Sequence, residues 1–192
     1  MSGLRERKKA KTKIAIQEHA VRLFRAQGYA ATTVEQIAEA AEVSPSTVFR
    51  YFPTKEELVT TDELDPVIFA AFEEQPPELG LIQAWRGAMR SVFDRLTAEE
   101  MATERERMEL ILSVPELWAT SLGNVTKVLD TMTALSARRV GREAGDPVVR
   151  NIIGSMFGVL LVTAFEWARD PAADMVELVD TALEQLAAGP AL

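Results

Sequence analysis

Apolar residues recur at helical spacing along almost the whole chain, and no segment shows the alternation expected of a strand. The first helix is predicted over residues 7–27, where Ile16, Ala20 and Phe24 share one face. Gly28 follows as the residue expected just beyond a helix end. The pattern therefore predicts an all-α protein.

Three short helices follow, and each begins after a hydroxyl side chain that can cap it. The caps are Thr33, Ser44 and Thr54. They predict helices over 34–41 and 45–52 and a fourth helix in which Glu57 completes a capping box. Pro53 disfavours helical backbone in the residue before it, so the third helix must end near Phe52.

The later helices are longer. We predict them over residues 79–97, 98–113, 116–143, 147–169 and 172–188. Before them, the segment around Pro66 either continues the fourth helix or starts a new one. The expected architecture is an N-terminal three-helix unit over residues 1–55, followed by a larger helical bundle over residues 56–192.

Composition narrows the classes of function. The 192 residues include no cysteine and one histidine, His19, which excludes disulfides and a multi-histidine metal site within one chain. We find no nucleophile motif, phosphate loop or metal-ligand spacing, so we expect no catalytic residue, no metal and no cofactor. No apolar run approaches the ~20 residues of a membrane span. The composition therefore predicts a soluble cytoplasmic protein that does not enter a membrane.

Charge is distributed unevenly along the chain. The net charge of −8 at first argues against a nucleic-acid partner. Residues 1–60, however, hold ten basic and seven acidic side chains, whereas residues 61–192 hold eleven and twenty-two. Residues 1–13 alone carry six basic side chains and one Glu. Such a run is either a solvated tail or a basic arm that lies against a polyanion.

The helices over 34–41 and 45–52 have the lengths and the short connection of a helix-turn-helix. On the second of them, Val48 and Phe52 point inward. The other side of this helix carries Pro45, Ser46, Thr47, Phe49 and Arg50. In a major groove, Phe49 would meet a thymine methyl group, and Arg50 would meet a guanine or a phosphate. The alternative is that Phe49 packs under a neighbouring helix.

The segment GYAATTVEQIAEAAEVSPSTVFRYFPTKEEL, from Gly28 to Leu58, resembles the DNA-binding segment of the TetR family of bacterial transcriptional regulators. The matching features are the Gly-aromatic turn, a Thr before V..IA..A, the VS...(L/V)(Y/F).(Y/H)F pattern and the final (S/T)K..L. The resemblance covers residues 10–60, and the rest of the chain is similar in its all-helical layout alone. It implies a DNA-binding unit joined to a ligand-binding and dimerising domain.

The resemblance also implies roles for single residues. Those that stand where the family binds phosphate are Thr33, Tyr51 and Lys55. Those that stand where the recognition helix begins to contact bases are Pro45, Ser46 and Thr47. Phe49 replaces a residue that is more often Tyr, and Pro45 replaces a Lys or Arg. These departures shift the expected basic contacts to Arg50 and the N-terminal arm.

The last two helices form the predicted partner surface. The helix over 147–169 is apolar on nearly all sides, so it must be buried on two of them. The resemblance implies that one side packs against a second copy in a homodimer; the alternative is an ordinary monomeric core. The side chains assigned to this surface are Ile153, Phe157, Leu161, Met175, Leu178, Val179, Leu183 and Leu186.

Residues 66–165 are rich in Trp, Phe and Met, which form adaptable apolar pockets but also ordinary cores. Under the pocket hypothesis, this region binds a small hydrophobic effector such as a fatty acyl compound, a drug or a natural product. The predicted lining residues are Phe69, Phe72, Trp85, Met89, Phe93, Met108, Ile111, Leu112, Trp118, Leu122, Val125, Leu129, Met156, Phe157 and Leu160.

Taken together, these features predict a homodimeric regulator that binds a palindromic operator in double-stranded DNA. We expect a repressor that releases the operator when the effector binds, because the effector favours a state that no longer matches the DNA. Two alternatives stay open, namely a DNA-binding dimer without a small-molecule effector and an all-α enzyme. The lone His19, on the first helix, argues against the enzyme.

Overall fold

The structure is a computed structural model that describes residues 2–189, apart from the side chains of residues 2–7 and 10. Met1 and residues 190–192, at the outer ends of the two predicted domains, lie outside the described residues, as do the Arg5 and Arg7 side chains of the basic arm. Within the described range the chain forms ten helices and no strand, which confirms the all-α prediction. The helices are α1 Ser2–Gln27, α2 Val34–Ala40, α3 Pro45–Tyr51, α4 Glu57–Thr60, α5 Asp65–Glu73, α6 Leu81–Phe93, α7 Ala98–Ser113, α8 Pro115–Arg139, α9 Pro147–Arg169 and α10 Met175–Ala188.

The predicted caps of the second and third helices are confirmed. The Thr33 hydroxyl accepts from the Gln36 amide at 3.3 Å, and the Gln36 side chain accepts from the Thr33 amide at 2.9 Å. This reciprocal pair is a complete capping box. At α3 the Ser44 hydroxyl accepts from the Thr47 amide at 3.2 Å, and Pro45 occupies the first helical position.

The fourth helix differs from the prediction. Thr54 does accept a hydrogen bond from the Glu57 amide, at 3.3 Å, but α4 is a single turn that begins at Glu57 with Glu56 before it. The chain then starts a separate helix at Asp65, with Pro66 in its first turn, where the missing proline N–H has no helical partner to lose.

Several later helix bounds also differ. Three helices are shorter than predicted: Leu81–Phe93 rather than 79–97, Pro115–Arg139 rather than 116–143, and Met175–Ala188 rather than 172–188. Local backbone chemistry explains these ends. Gly80 precedes α6, Gly141 adopts a φ of +67° after α8, and the Asp174 carboxylate accepts from the Glu177 amide at 3.0 Å to start α10. The bounds predicted for α7 and α9 agree with the structure.

Residues 2–62 and 102–124 form the first compact unit. Its core joins α1–α4 to the second half of α7 and the first part of α8. The buried members are Ile16, Ala20, Val21, Phe24, Ile37, Ala38, Val48, Phe52, Leu58, Val59, Leu110, Ile111 and Leu117. The N-terminal helices thus complete their core with a segment far along the chain, whereas the domain boundary predicted at residues 55 and 56 stays a prediction.

Side chains from three helices bind the carbonyl groups at the end of α4. The Gln17 amide donates to the Thr61 carbonyl at 2.9 Å, and the Asn124 amide donates to the Thr60 carbonyl at 3.2 Å. Arg107, which is 7% exposed, donates to the Val59 carbonyl at 3.2 Å. The last carbonyls of a helix lack partners within it, so these bonds hold the single turn of α4 in place.

The buried Arg107 also forms ion pairs with two carboxylates. Its guanidinium donates to Asp62 at 2.7 Å and to Glu104 at 2.8 Å. Burial raises the pKa of Glu104 against the opposing effect of the cation. The two carboxylates hold the pKa of Arg107 above its usual value although burial acts in the other direction.

The second compact unit consists of residues 63–101 and 125–189. In it α6 packs against α5 and α10, and α10 packs against α9. Phe72 stacks on Trp85 with 4.0 Å between ring centroids, and both side chains are buried. The Trp85 indole donates to the Ser136 hydroxyl at 3.0 Å, which satisfies the polar atom of this buried ring.

Helix α9 corrects the prediction that no segment approaches the length and apolar composition of a membrane span. Its 23 residues are long and apolar enough to match a membrane span by length and composition, and it is the one such helix in the part of the chain that the structure describes. The helix has no uninterrupted apolar run of that length because Arg150, Asn151 and Glu166 interrupt its sequence. Ile153 and Met156 on α9 lie in the core of the second unit, which makes this helix part of a protein core.

We predict that Arg107→Ala lowers the free energy of unfolding by about 2–3 kcal/mol, because it leaves two carboxylates and a carbonyl without their partner. This is below the cost of breaking a fully buried pair, since both carboxylates keep some contact with solvent. Urea unfolding followed by circular dichroism measures the difference. Arg22→Ala, an exposed change on α1, is the control and should alter stability by less than about 0.5 kcal/mol. Equal stability of the two variants would contradict the role of Arg107.

Candidate nucleic-acid interface and effector region

Helices α2 and α3 are joined by a tight turn over residues 41–44 and pack against each other. The Val43 amide donates to the Ala38 carbonyl at 2.9 Å. Glu42 takes a φ of +54°, a left-handed conformation that residues other than glycine adopt at some cost. This geometry is a helix-turn-helix in which α3 is the second helix.

The two sides of α3 differ sharply in exposure. Val48 and the following Phe52 are buried in the core of the first unit, as the helical spacing predicts. Pro45, Ser46 and Arg50 are exposed, and Phe49 is 47% exposed. The alternative in which Phe49 packs under a neighbouring helix is therefore wrong. An aromatic side chain this open on a short helix is available to a partner.

A cluster of hydroxyl groups lies at the N-terminus of α3. The Ser44 hydroxyl is 2.8 Å from that of Ser46 and 2.9 Å from that of Thr47. Thr47 is half-buried, whereas Ser46 is exposed. Ser46 can therefore exchange its contact for one with a base edge more readily than Thr47 can.

Cationic groups lie at the C-terminal end of α3. The Arg50 guanidinium is 5.2 Å from the centre of the Tyr51 ring, and the Lys13 ammonium, from α1, is 5.4 Å from the centre of the Phe52 ring. Tyr51 is half-buried. One positive side chain thus lies on the Tyr51 ring and another on the Phe52 ring.

Lys55 makes its contacts within the chain. Its ammonium donates to the Tyr29 carbonyl at 2.5 Å and lies 4.2 Å from the centre of the Tyr29 ring. The Tyr29 hydroxyl donates to Glu56 at 2.8 Å. Burial lowers the pKa of Lys55 and raises that of Tyr29, and a hydrogen bond to its own backbone lowers the pKa of Glu56. This network ties the turn after α1 to the start of α4, and the sequence pattern did not indicate it.

The predicted pocket residues are divided between the two compact units. Those in the first unit are Met108, Ile111, Leu112, Trp118 and Leu122. Ile111 belongs to the core around α1–α4, Trp118 packs against it, and Leu122 is 49% exposed. Those in the second unit are Phe69, Phe72, Trp85, Met89, Phe93, Val125, Leu129, Met156, Phe157 and Leu160. Phe72, Trp85, Met89 and Met156 are buried in the core of that unit.

The residues assigned to the partner surface fall into two groups. Ile153, Val179 and Leu183 are buried in the core of their own chain, so they offer no outer surface. The half-buried group consists of Phe157, Leu161, Met175, Leu178 and Leu186. The spacing of α9 alone could not separate these groups, because the helix is apolar on nearly every side.

Comparisons with known proteins agree with this geometry. Residues 16–60 match the family described as bacterial regulatory proteins, tetR family, and residues 79–191 match the MftR C-terminal domain. The HTH-type transcriptional regulator TcmR of Streptomyces glaucescens is 36% identical over 173 residues, which cover 86% of this chain and 76% of TcmR. A regulator of Mycobacterium tuberculosis named for mycofactocin biosynthesis, MftR, is 28% identical over 185 residues, which cover 95% and 93% of the two chains.

Solved structures show the same fold. A TetR-family transcriptional regulator from Streptomyces coelicolor matches with a TM-score of 0.61 and 17% identity, over 93% of this chain and 80% of the other. Sequence and fold lead to the same conclusion: the chain belongs to the TetR family of bacterial transcriptional regulators, which bind DNA through an N-terminal helix-turn-helix.

Proposed function

We propose that the protein is a homodimeric repressor that binds a palindromic operator and leaves it when a small hydrophobic effector binds the second unit. The observation that carries the proposal is the exposed face of α3, where Phe49 is 47% exposed while Val48 and Phe52 hold the opposite face in the core. A recognition helix needs this combination, because it must be anchored on one side and open to base edges on the other. Such a protein acts in the cytoplasm, where the chromosome lies.

Ser46, Phe49 and Arg50 are the proposed base-reading residues. Phe49 offers an apolar surface to the methyl group of thymine. Arg50 rests on the Tyr51 ring in the free protein, and an exposed contact of this kind contributes about 0.5–1 kcal/mol. A bidentate bond to guanine is worth about 1–3 kcal/mol, so the groove can draw Arg50 away from the ring.

Thr33 and Tyr51 are the proposed phosphate contacts. Thr33 is exposed at the N-terminus of α2, where free amide groups favour an anion. Lys55 has its ammonium on the Tyr29 carbonyl, so in our proposal it positions the turn between α1 and α2. Pro45 and Thr47 border the reading face, Pro45 as a ring that excludes water and Thr47 as part of the cap.

The dimer surface is proposed on the outward side of α9. Val162 is 65% exposed, and Gly154 and Gly158 have no neighbouring atoms within 4 Å of the position of a Cβ. The half-buried Phe157 and Leu161 border this stripe. Small residues in line with exposed apolar ones allow a second helix to approach closely and to cover the patch. With α10, this gives a bundle of two helices from each copy.

The effector is proposed to bind in the second unit, beside the stacked Phe72 and Trp85. The half-buried side chains that border this core are the ones able to move aside for a ligand. They include Phe69, Phe93, Leu129 and Leu160. An effector of this apolar chemistry would be a fatty acyl compound, a drug or a natural product. A DNA-binding dimer that responds to no small molecule is the remaining alternative.

We predict that Arg50→Ala weakens binding to the preferred operator by about 1–3 kcal/mol and relaxes the base preference at one position of each half-site. Phe49→Ala should lose the preference for thymine over uracil, because the methyl group is its contact. The operator is first selected from random duplex DNA, and an inverted repeat is expected. Both variants should melt like the wild type, since neither side chain is buried. Arg22→Ala is the charge-matched control, and loss of base preference in that variant as well would refute the assignment.

We predict that Val162→Glu converts the dimer into a monomer that keeps its helices, because it places a charge on an apolar interface. Sedimentation velocity measures the change, and circular dichroism checks the fold. The control is Val67→Glu, which makes the same substitution at an exposed position on α5 and should leave the dimer intact. If the wild type is a monomer, the proposed homodimer is contradicted. If the Val162→Glu variant is still a dimer, the proposed interface on α9 is contradicted.

We predict that a lipophilic compound which raises the melting temperature also lowers operator affinity, since coupling between two ligands is reciprocal. A thermal-shift screen finds the compound, and a DNA titration in its presence measures the coupling. Phe93→Ala should reduce the thermal shift, whereas Leu122→Ala should not. A compound that stabilises the protein without affecting DNA binding would favour the regulator without an effector.

A further inference from the structure

The buried face of α1 changes character toward the N-terminus. Ile16, Gln17, Ala20 and Phe24 lie on this face and are buried in the first unit. With 3.6 residues per turn, Lys13 lies within about 60° of each of them around the helix axis. The face that is buried along the core thus continues as lysine beyond the last core residue.

A contact fixes where this lysine face points. The Lys13 ammonium lies 5.4 Å from the centre of the Phe52 ring, and Phe52 directly follows the last residue of α3. Lys13 is therefore on the side of α1 nearest the C-terminal end of the recognition helix, where Arg50 and Tyr51 also lie. Lys9 precedes Lys13 by four residues, is exposed, and is offset by about 40° around the axis, one turn farther along the same face.

The other two lysines of this segment point elsewhere. Lys8 and Lys11 are about 140° and 160° from Lys13 around the axis. Both are exposed. These four lysines thus form two pairs on nearly opposite faces, and Lys13 of one pair lies beside the residue that follows the recognition helix.

We propose that Lys9 and Lys13 bind successive phosphates of the DNA that flanks the half-site contacted by α3. The proposal rests on the function proposed above, and it commits to DNA because Lys13 lies beside the residue that follows the recognition helix and Lys9 continues the same face of α1. The lysines are about 6 Å apart along the axis, while the phosphates of one strand advance by about 3.4 Å each. Long side chains bridge this difference easily, and the contacts carry no base preference.

The experiment compares two double variants, Lys9→Ala with Lys13→Ala and Lys8→Ala with Lys11→Ala, by titrating the selected operator between about 50 and 200 mM salt. Each phosphate contact contributes about 0.9 to the slope of log affinity against log salt. The first variant should therefore lose about two units of slope, with unchanged base preference. The second should keep the wild-type slope. A melting curve accompanies each variant, and Lys9→Ala alone, which leaves the Phe52 contact intact, should lose about one unit.

The results separate this inference from the function on which it rests. If the wild-type protein selects no DNA sequence, both the proposed function and this inference are contradicted. If the wild type binds its operator but neither Lys9→Ala nor the double variant of Lys9 and Lys13 changes the salt slope, the proposed phosphate contacts are contradicted. The proposed regulatory function is then unaffected. Equal losses in the two double variants also overturn the proposal, because they indicate a basic segment that attracts DNA without regard to face.

Discussion

The first unit depends on how the end of α4 is held. Helix α4 has four residues, far too few to be stable by its own hydrogen bonds. Gln17, Arg107 and Asn124 supply donors to its last carbonyls, and Arg107 adds an ion pair with two carboxylates. Burying a guanidinium is favourable only when its donors are satisfied, so these bonds leave little freedom in the position of α4. Through the core residues Leu58 and Val59, that position also defines one wall of the recognition unit.

Helix α3 is also too short to be stable alone, but other interactions stabilise it. At seven residues, α3 cannot bury much surface, and four of its side chains are exposed. Ser44 compensates at the start by capping the helix, and Val48 and Phe52 anchor its inner side. The exposure of Phe49 costs little free energy because it is a single aromatic side chain beside polar neighbours. It therefore forms no extended apolar patch. One side of α3 thus packs in the core of the first unit, and the other side stays exposed.

Local signals in the sequence were sufficient for the helix-turn-helix. Thr33 and Ser44 mark helix starts by their hydroxyl groups, and the four-residue spacing of Val48 and Phe52 identifies the inner face. Long-range contacts carried no such signal. Nothing near Arg107 in the chain indicates that it reaches Val59, and nothing near Lys55 indicates that it turns to Tyr29. In α9, uniform apolar composition hides the difference between Ile153, which is buried, and Val162, which is exposed.

The charge distribution gives base contacts a large part in the proposed function. With a net charge of −8, the chain as a whole is repelled by a polyanion, and the attraction must come from the few lysines and arginines near the N-terminus. Non-specific affinity grows with the number of phosphates neutralised, so a small number of cations keeps it low. A regulator of this composition gains selectivity from weak general attraction together with strong local recognition. In the proposed function, the side chains on the outer face of α3 then determine where the protein binds on the chromosome.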